Sequence, residues 1–447
     1  MEEVGFNLLH DNQEEYLMKS NNSTGRVSRR TFLKLAGGGL LAAGGVGFLR
    51  KFISPELVAL AQMEAPDRVF AATDGWMYLP PLPTPSPYHP DDLSPDPSLF
   101  TTYIFGFRDV TGQTDEQILN QKMKAQHSAP MFWIDENQQF RLELRNLGLQ
   151  MRPDLTDAHT VHFHGFKNAI PFFDGEPSSS VSVPMNRSFT YVYRPHDPGT
   201  YMFHCHVEDV EHVQMGMTGL VFVRPAQNGN TSLYPSGKFV FNDGDGSTGY
   251  DREFGMHLSE MWVDSHWADS HIQLPEWSDY KPDFSMINGR VYPDTLAPNG
   301  QGYDANGDLI APAGFPNLQY QPISSLAECN AGEQVLLRFT NLGFMQASMV
   351  LEGIQMRVVG KDATFLRNGG TDLSYLANTI VIGAGESVDA IFTAPPHSGG
   401  SGPDTYLLYN RNFTMSHSIG DFGVGKQMTE IRVHPAGTLS AQTEPNT

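Results

Sequence analysis

Cysteine is nearly absent from this chain. Only Cys205 and Cys329 occur in 447 residues, so no disulfide framework braces the fold, and stability must come from cores and any bound metal. Basic residues are scarce as well. Lys and Arg number 29 against 50 Asp and Glu, for a net charge of −21. That sign argues against nucleic acid as a partner and favours cationic partners or metal ions. A Gly/Ala/Leu run over 35–48 is about fourteen residues long, short for a bilayer span. Gly (43) and Pro (31), with 28 Phe and 16 Tyr, favour strands and turns over helices.

What is present is histidine, and it is concentrated. Six of the sixteen fall in two short runs, DAHTVHFHG over 157–165 and YMFHCHVEDVEHVQMGM over 201–217. Alternate residues of a strand share a face. His162 and His164 therefore pair on one side, as do His204 and His206, while Cys205 points the other way. One strand can thus serve two metal centres. A thiolate, two imidazoles and a weak axial thioether form the set that holds electron-transfer copper. Cys205, His212 and Met217 supply three members and His159 the fourth, with Met215 as the fallback thioether. His162, His164, His204 and His206 carry no thiolate and suit an imidazole-only copper centre. Electrons entering at Cys205 reach it through the neighbouring backbone.

These runs resemble the multicopper oxidases and their cupredoxin relatives. H-x-x-H-x-H-G is similar to the family block supplying one type 1, one type 2 and one type 3 ligand. HCH followed by His and Met is similar to the block supplying type 3, type 1, type 3, type 1 and axial ligands. Asp174-Gly175-Glu176-Pro177, SFTYVYRPHDPGTYMFHCH over 188–206 and INGRVYPDT over 287–295 add to the likeness, which covers roughly residues 100–435. Copper nitrite reductases share the layout. They resemble H-x-x-D-x-H and HCA where this chain has His162 and His206, so both departures add histidines. The resemblance implies two Greek-key β-sandwich cupredoxin-like domains, all-β. It also implies one-electron oxidation at a type 1 copper coupled to oxygen reduction. The reductant is expected to be a small molecule, a metal ion or a protein donor, and the assembly a homo-oligomer, by resemblance a trimer. No methionine-rich segment marks a cuprous-ion oxidase. A nitrite reductase-like enzyme and an electron-transfer protein are the alternatives.

Residues 1–61 read as an export segment. Residues 28–34, SRRTFLK, resemble a twin-arginine signal, and residues 59–61, ALA, fit a cleavage site. Without 1–61 the chain keeps 22 basic and 44 acidic residues, so the acidity belongs to the folded part. The protein is expected in the periplasm or outside the cell, membrane-anchored if the signal is retained. A Pro-rich N-terminal arm is expected over 62–99 and the copper-binding domain over 100–225. Its strands are expected near 103–107, 139–145, 188–193 and 219–223. A connecting segment follows over 226–285, then the second domain over 286–437 and a tail over 438–447. Asp154 and Asp157 read as a solvated loop, with orienting the histidines or shuttling protons as the alternative. The acidic stretch 208–211 is expected close to the type 1 site, where gating access is one reading. NDGDG over 242–246 and DANGD over 304–308 read as turns, not calcium loops. The loose group His257, His266 and His271 is not expected to bind metal, and Cys329 reads as a buried thiol.

The second half repeats the first. AGEQVLLRFTNLG over 331–343 parallels ENQQFRLELRNLG over 136–148, and DTYLLYNR over 404–411 parallels GTYMFHCH over 199–206. Opposite His159, His162 and His164 stand Ala347, Val350 and Glu352. Opposite His204, Cys205 and His206 stand Tyr409, Asn410 and Arg411. Only His417 falls opposite a histidine, His212. The second domain is therefore expected to keep the fold and drop the metals. In the resembled family a trinuclear cluster takes four histidines from each of two domains, and this chain has one such half. Another chain, or stray histidines such as His417 or His257, would complete a type 2/type 3 centre. Otherwise the site holds fewer coppers.

Overall fold

The computed structural model describes residues 65–81, 88–167, 169–412 and 426–447. The twin-arginine motif, the 59–61 site and His417 lie outside the described residues. Strands dominate. The first sandwich has two four-stranded sheets. One orders β2 (Thr101–Asp109), β1 (Arg68–Tyr78), β4 (Phe140–Asn146) and β6 (Ser188–Tyr193). The other orders β3 (Phe132–Asp135), β8 (Thr218–Arg224), β7 (Gly199–His204) and β5 (His162–Phe163). A short helix, α1 (Asp115–Leu119), follows β2.

The second sandwich is built alike. One sheet runs β10 (Phe284–Ile287), β9 (Arg252–Met261), β12 (Gln334–Asn341), β20 (Ser387–Thr393) and β14 (Met356–Lys361). The short strands β15 (Thr364–Phe365) and β18 (Tyr375–Ala377) both pair with β14, while β16 (Arg367–Asn368) and β17 (Thr371–Asp372) pair with each other. The other runs β11 (Ala327–Asn330), β22 (Met428–His434), β21 (Asp404–Asn410), β13 (Ala347–Leu351) and β19 (Thr379–Ile382).

The repeat extends to the register. His162 faces His204 across β5 and β7. Val350 faces Tyr409 across β13 and β21. Likewise β1 runs parallel to β4, and β9 runs parallel to β12. These pairings shift both expected domain edges. Residues 68–78, assigned to the Pro-rich arm, form a central strand of the first sandwich. Residues 252–261 and 284–287, assigned to the connecting segment, are strands of the second. Both β1 and β9 are buried along nearly their whole length, so neither shows the alternation that marks a half-buried strand.

Alternation along β7 decides what the site becomes. Tyr201 and Phe203 join the aromatic core, and Cys205 continues their face just past the strand. Phe203 meets Phe70, Phe132 and Phe163 with ring centroids 5.9, 5.5 and 5.8 Å apart. Each such pair adds about 0.5–1.5 kcal/mol beyond area burial. Buried ion pairs then tie β7 to the second sandwich. Arg338 bonds Thr200 at 3.1 Å, Asp389 at 3.2 Å and Glu253 at 2.9 Å. Glu253 in turn accepts from Arg224 at 2.7 Å.

The carboxylates of both acidic turns are already taken up by protein groups. Asp243 accepts from the backbone of Gly246 and Thr248, and Asp308 is paired with Arg108 and Lys124. Cys329 is buried and donates weakly to the Arg432 carbonyl. Burial pushes its thiol up to about 12.

Candidate metal centre

Cys205, His159 and His212 converge in the first sandwich. Cys205 Sγ lies 3.2 Å from His212 Nδ1 and 3.8 Å from His159 Nδ1. All three residues are buried. The acidic stretch between Cys205 and His212, expected close to the type 1 site, is largely helical. Helix α2 (Asp209–Met215) carries His212 inward and exposes Val210. It ends at Gly216 with φ 118°, a conformation that favours glycine. A Cβ there would fall 2.5 Å from the His127 ring and 2.8 Å from the Phe105 carbonyl. Past that turn the backbone fixes Met217. Its N–H donates to the His212 carbonyl at 2.9 Å, and its carbonyl accepts from Cys205 N–H at 3.1 Å. Met215 and Met217 are both buried in the core that holds Cys205.

The electrostatics suit a thiolate. Burial alone would push the Cys205 thiol up. The His212 charge, with hydrogen bonds from His159 and His212, overcomes this and holds it well below its usual range. Burial likewise opposes charge on His212, yet Cys205 and Asp157 lift it to about 10. Asp157 corrects the expectation of a solvated loop. Its carboxylate accepts from His212 Nε2 at 3.2 Å, which leaves Nδ1 to face the sulfur. Such outer partners fix ring orientation in metal sites. This is the alternative reading of Asp157, as a residue that orients a histidine. Asp154 instead pairs with Arg152. His159 Nε2 is buried without a hydrogen-bond partner among the described residues.

The second group gathers on the opposite face. His162, His164 and His204 bring ring nitrogens within 4.8 Å of one another. His206 packs against His162 and His204 at centroid distances of 4.9 and 5.3 Å. His162 Nδ1 donates to the Asp174 carbonyl at 2.7 Å, and His204 Nδ1 to the Cys205 carbonyl at 2.7 Å. Both rings therefore keep Nε2 for the shared space, where His164 and His204 Nε2 stand 2.9 Å apart. Gly175 lets the Asp174 loop come this close. A Cβ there would sit 2.2 Å from the Val161 carbonyl, and its φ is 80°. Burial pushes His204 down to about 3 and, with neighbouring His162, lowers His164. Neutral rings are the form that ligates metal.

A cavity of ≈ 310 Å³ opens beside His162 and His164, and its far wall includes Asp362, Gly385 and Ser387 of the second sandwich. No histidine comes from that side among the described residues. His257 cannot serve, because it is buried and bonded to Thr218 at 3.1 Å and Thr340 at 2.8 Å. His266 is tied to Tyr103 and Gln214, and His271 pairs with Asp92.

A buried Cys-His-His set beside an all-histidine group, both held on a β-sandwich, is a donor arrangement suited to copper. Residues 101–227 match the family model described as Multicopper oxidase. The chain is 25% identical over 281 residues to the multicopper oxidase MmcO of Mycobacterium tuberculosis. That match covers 61% of this chain and 48% of MmcO, so the chain spans about half the length of that relative. In fold it is similar to the multicopper oxidase mgLAC, at TM-score 0.55 and 18% identity, covering 84% of this chain and 87% of that one. It is also similar in fold to a copper nitrite reductase from Nitrosomonas europaea. The TM-score is 0.51 and the identity 15%, with coverage of 85% and 96%.

Proposed function

We propose that this protein oxidises a reductant in one-electron steps at the Cys205 centre and reduces dioxygen at the histidine centre. One observation carries the reading: Cys205 joins both sites. Its sulfur faces His159 and His212, while its carbonyl holds His204 Nδ1 at 2.7 Å. Copper held by His159, Cys205, His212 and Met217, and by His162, His164, His204 and His206, supplies the electron transfer and oxygen chemistry. The protein's part is to prepare and insulate these donors. Asp157 sets the His212 tautomer. Phe105 packs edge-on against the His212 ring and helps keep water from the sulfur. His212 Nε2 faces Asp157 and Glu208, so a small-molecule, metal-ion or protein reductant approaches along this acidic edge. The reading extends to export by the twin-arginine route, to the periplasm or beyond, with a membrane anchor if the signal persists. It also extends to a homo-oligomer, a trimer by resemblance.

A nitrite reductase-like reading is favoured by a different observation. Among the described residues the second sandwich offers Asp362, Gly385 and Ser387 to the cavity and no histidine, which suits a mononuclear second centre. Copper stoichiometry with visible and EPR spectra, together with oxygen and nitrite consumption, separates the two. An intense thiolate band, a type 2 signal and oxygen uptake with a reductant support the oxidase. Nitrite turnover with about two coppers per chain supports the alternative. Absence of a thiolate band overturns both.

A further inference from the structure

Helix α3 (Val263–Ser270) packs on the first sandwich behind α2, with His266 bonded to the Tyr103 carbonyl and close to Gln214. A separate cavity of ≈ 330 Å³ flanks α3. Its walls are of two kinds. Tyr88, Trp262, Trp267 and Leu274 are apolar, and Asp264, Glu276, Asp279 and Asp283 are acidic, with Lys281 as the basic lining residue. We propose that this cavity binds an organic cation bearing an apolar group, of the alkyl- or aryl-ammonium class.

Three observations converge. First, the carboxylates are poorly compensated. Asp264 Oδ1 is buried with no hydrogen-bond partner among the described residues. Asp283 accepts from Val263 N–H at 2.8 Å, yet burial, and then the nearby Asp264 charge, push it up to about 6. Lys281 only partly opposes this and is itself exposed. A bound cation would partner the buried Asp264 oxygen and offset the burial of Asp283.

Second, the apolar wall is rigid. Trp267 is stacked by Tyr88 at 4.3 Å and by His271 at 4.1 Å. Trp262 is held by edge contacts with Trp277 and Tyr280 at 5.9 and 5.7 Å. With Trp267 stacked in this way, its rim offers apolar contact, and the carboxylates receive the charge. Third, the volume suits a small ligand with both features and is at the lower end for small-molecule sites. Inorganic cations would leave the aromatic wall unused. The inference concerns neither copper centre, so its test stands apart from the oxidase reading.

The test uses the copper-loaded full chain, titrated with benzylammonium by calorimetry and by tryptophan fluorescence. Saturable binding at one site per chain is expected, with benzyl alcohol, the neutral isostere, at least about tenfold weaker. Asp264→Asn should weaken benzylammonium about fivefold or more, without change in the visible copper band. If that variant misfolds, the double change Glu276→Gln and Asp279→Asn, at exposed positions on the rim, should weaken binding about threefold. The proposal is overturned by absence of saturable binding, by equal affinity for benzyl alcohol, or by an unchanged affinity in the folded variant.

Discussion

The Asn410 side-chain amide donates to the Gln427 side-chain carbonyl at 2.7 Å inside the second sandwich. These residues stand where the first sandwich has Cys205 and Met217. Asn410 N–H donates to the Gln427 carbonyl at 2.9 Å, as Cys205 N–H does to Met217. Ser348 N–H donates to Asn410 Oδ1 at 2.9 Å, as Thr160 N–H faces Cys205 Sγ at 3.5 Å. An amide pair thus fills the copper position. Asn410→Ala should cost about 1–3 kcal/mol, the penalty for a stranded buried polar group. Urea unfolding measures this, and metal analysis should find copper content unchanged. Loss of copper would place a metal in the second sandwich.

Cys205→Ser should abolish the intense thiolate absorption and retain the type 2 EPR signal, because the sulfur serves one face and the histidines the other. Visible and EPR spectra on the same sample report both. Simultaneous loss of both signals in a folded protein would mean the two centres are not separable.

Asp157→Ala removes the acceptor of His212 Nε2. Copper affinity at the Cys205 site should fall about 10–100-fold, as for other outer-shell partners. Chelator competition followed at the thiolate band measures it. An unchanged affinity would reduce Asp157 to a surface residue.

Glu260 gives a pH signature. Burial pushes its carboxyl up to about 7, against hydrogen bonds from Phe344, Met345 and Tyr280. The folded state therefore binds the proton more tightly than the unfolded chain. Its contribution to stability is full below about pH 4.5 and is lost as pH rises to about 7, by about 3 kcal/mol. Glu260→Gln should flatten this part of the stability profile, read as denaturation midpoints across that range. Parallel profiles would remove Glu260 from the account.

Arg338→Met leaves Glu253 and Asp389 buried without their shared cation. Destabilisation of about 3–5 kcal/mol is expected, because this network ties the strand carrying His204 to the second sandwich. A change below 1 kcal/mol in urea unfolding, on the scale typical of exposed pairs, would show water reaching those carboxylates.

Much of the site was legible because its donors are close in sequence. Alternation alone separates Cys205 from His204 and His206, and the ligand types name the metal. The strand Ser188–Tyr193 was equally plain, since one of its faces is less buried. β1 and β9 were not, because central strands lose the alternation that reveals them. Helix α2 hid in an acidic stretch whose helicity depends on His212 being drawn to Cys205 and on Gly216 fitting against His127.

The sequence by itself determined the donor set, the repeat and the loss of ligands from the second half, because residue type and spacing are local properties. Tertiary structure alone decided that Asp157 orients His212, that Asp174 reaches His162, and that Asn410 and Gln427 occupy the vacated copper position. It also decided that Asp362 of the second sandwich borders the second centre. Each of these joins residues distant along the chain or on different elements, and only packing, not spacing, brings them together.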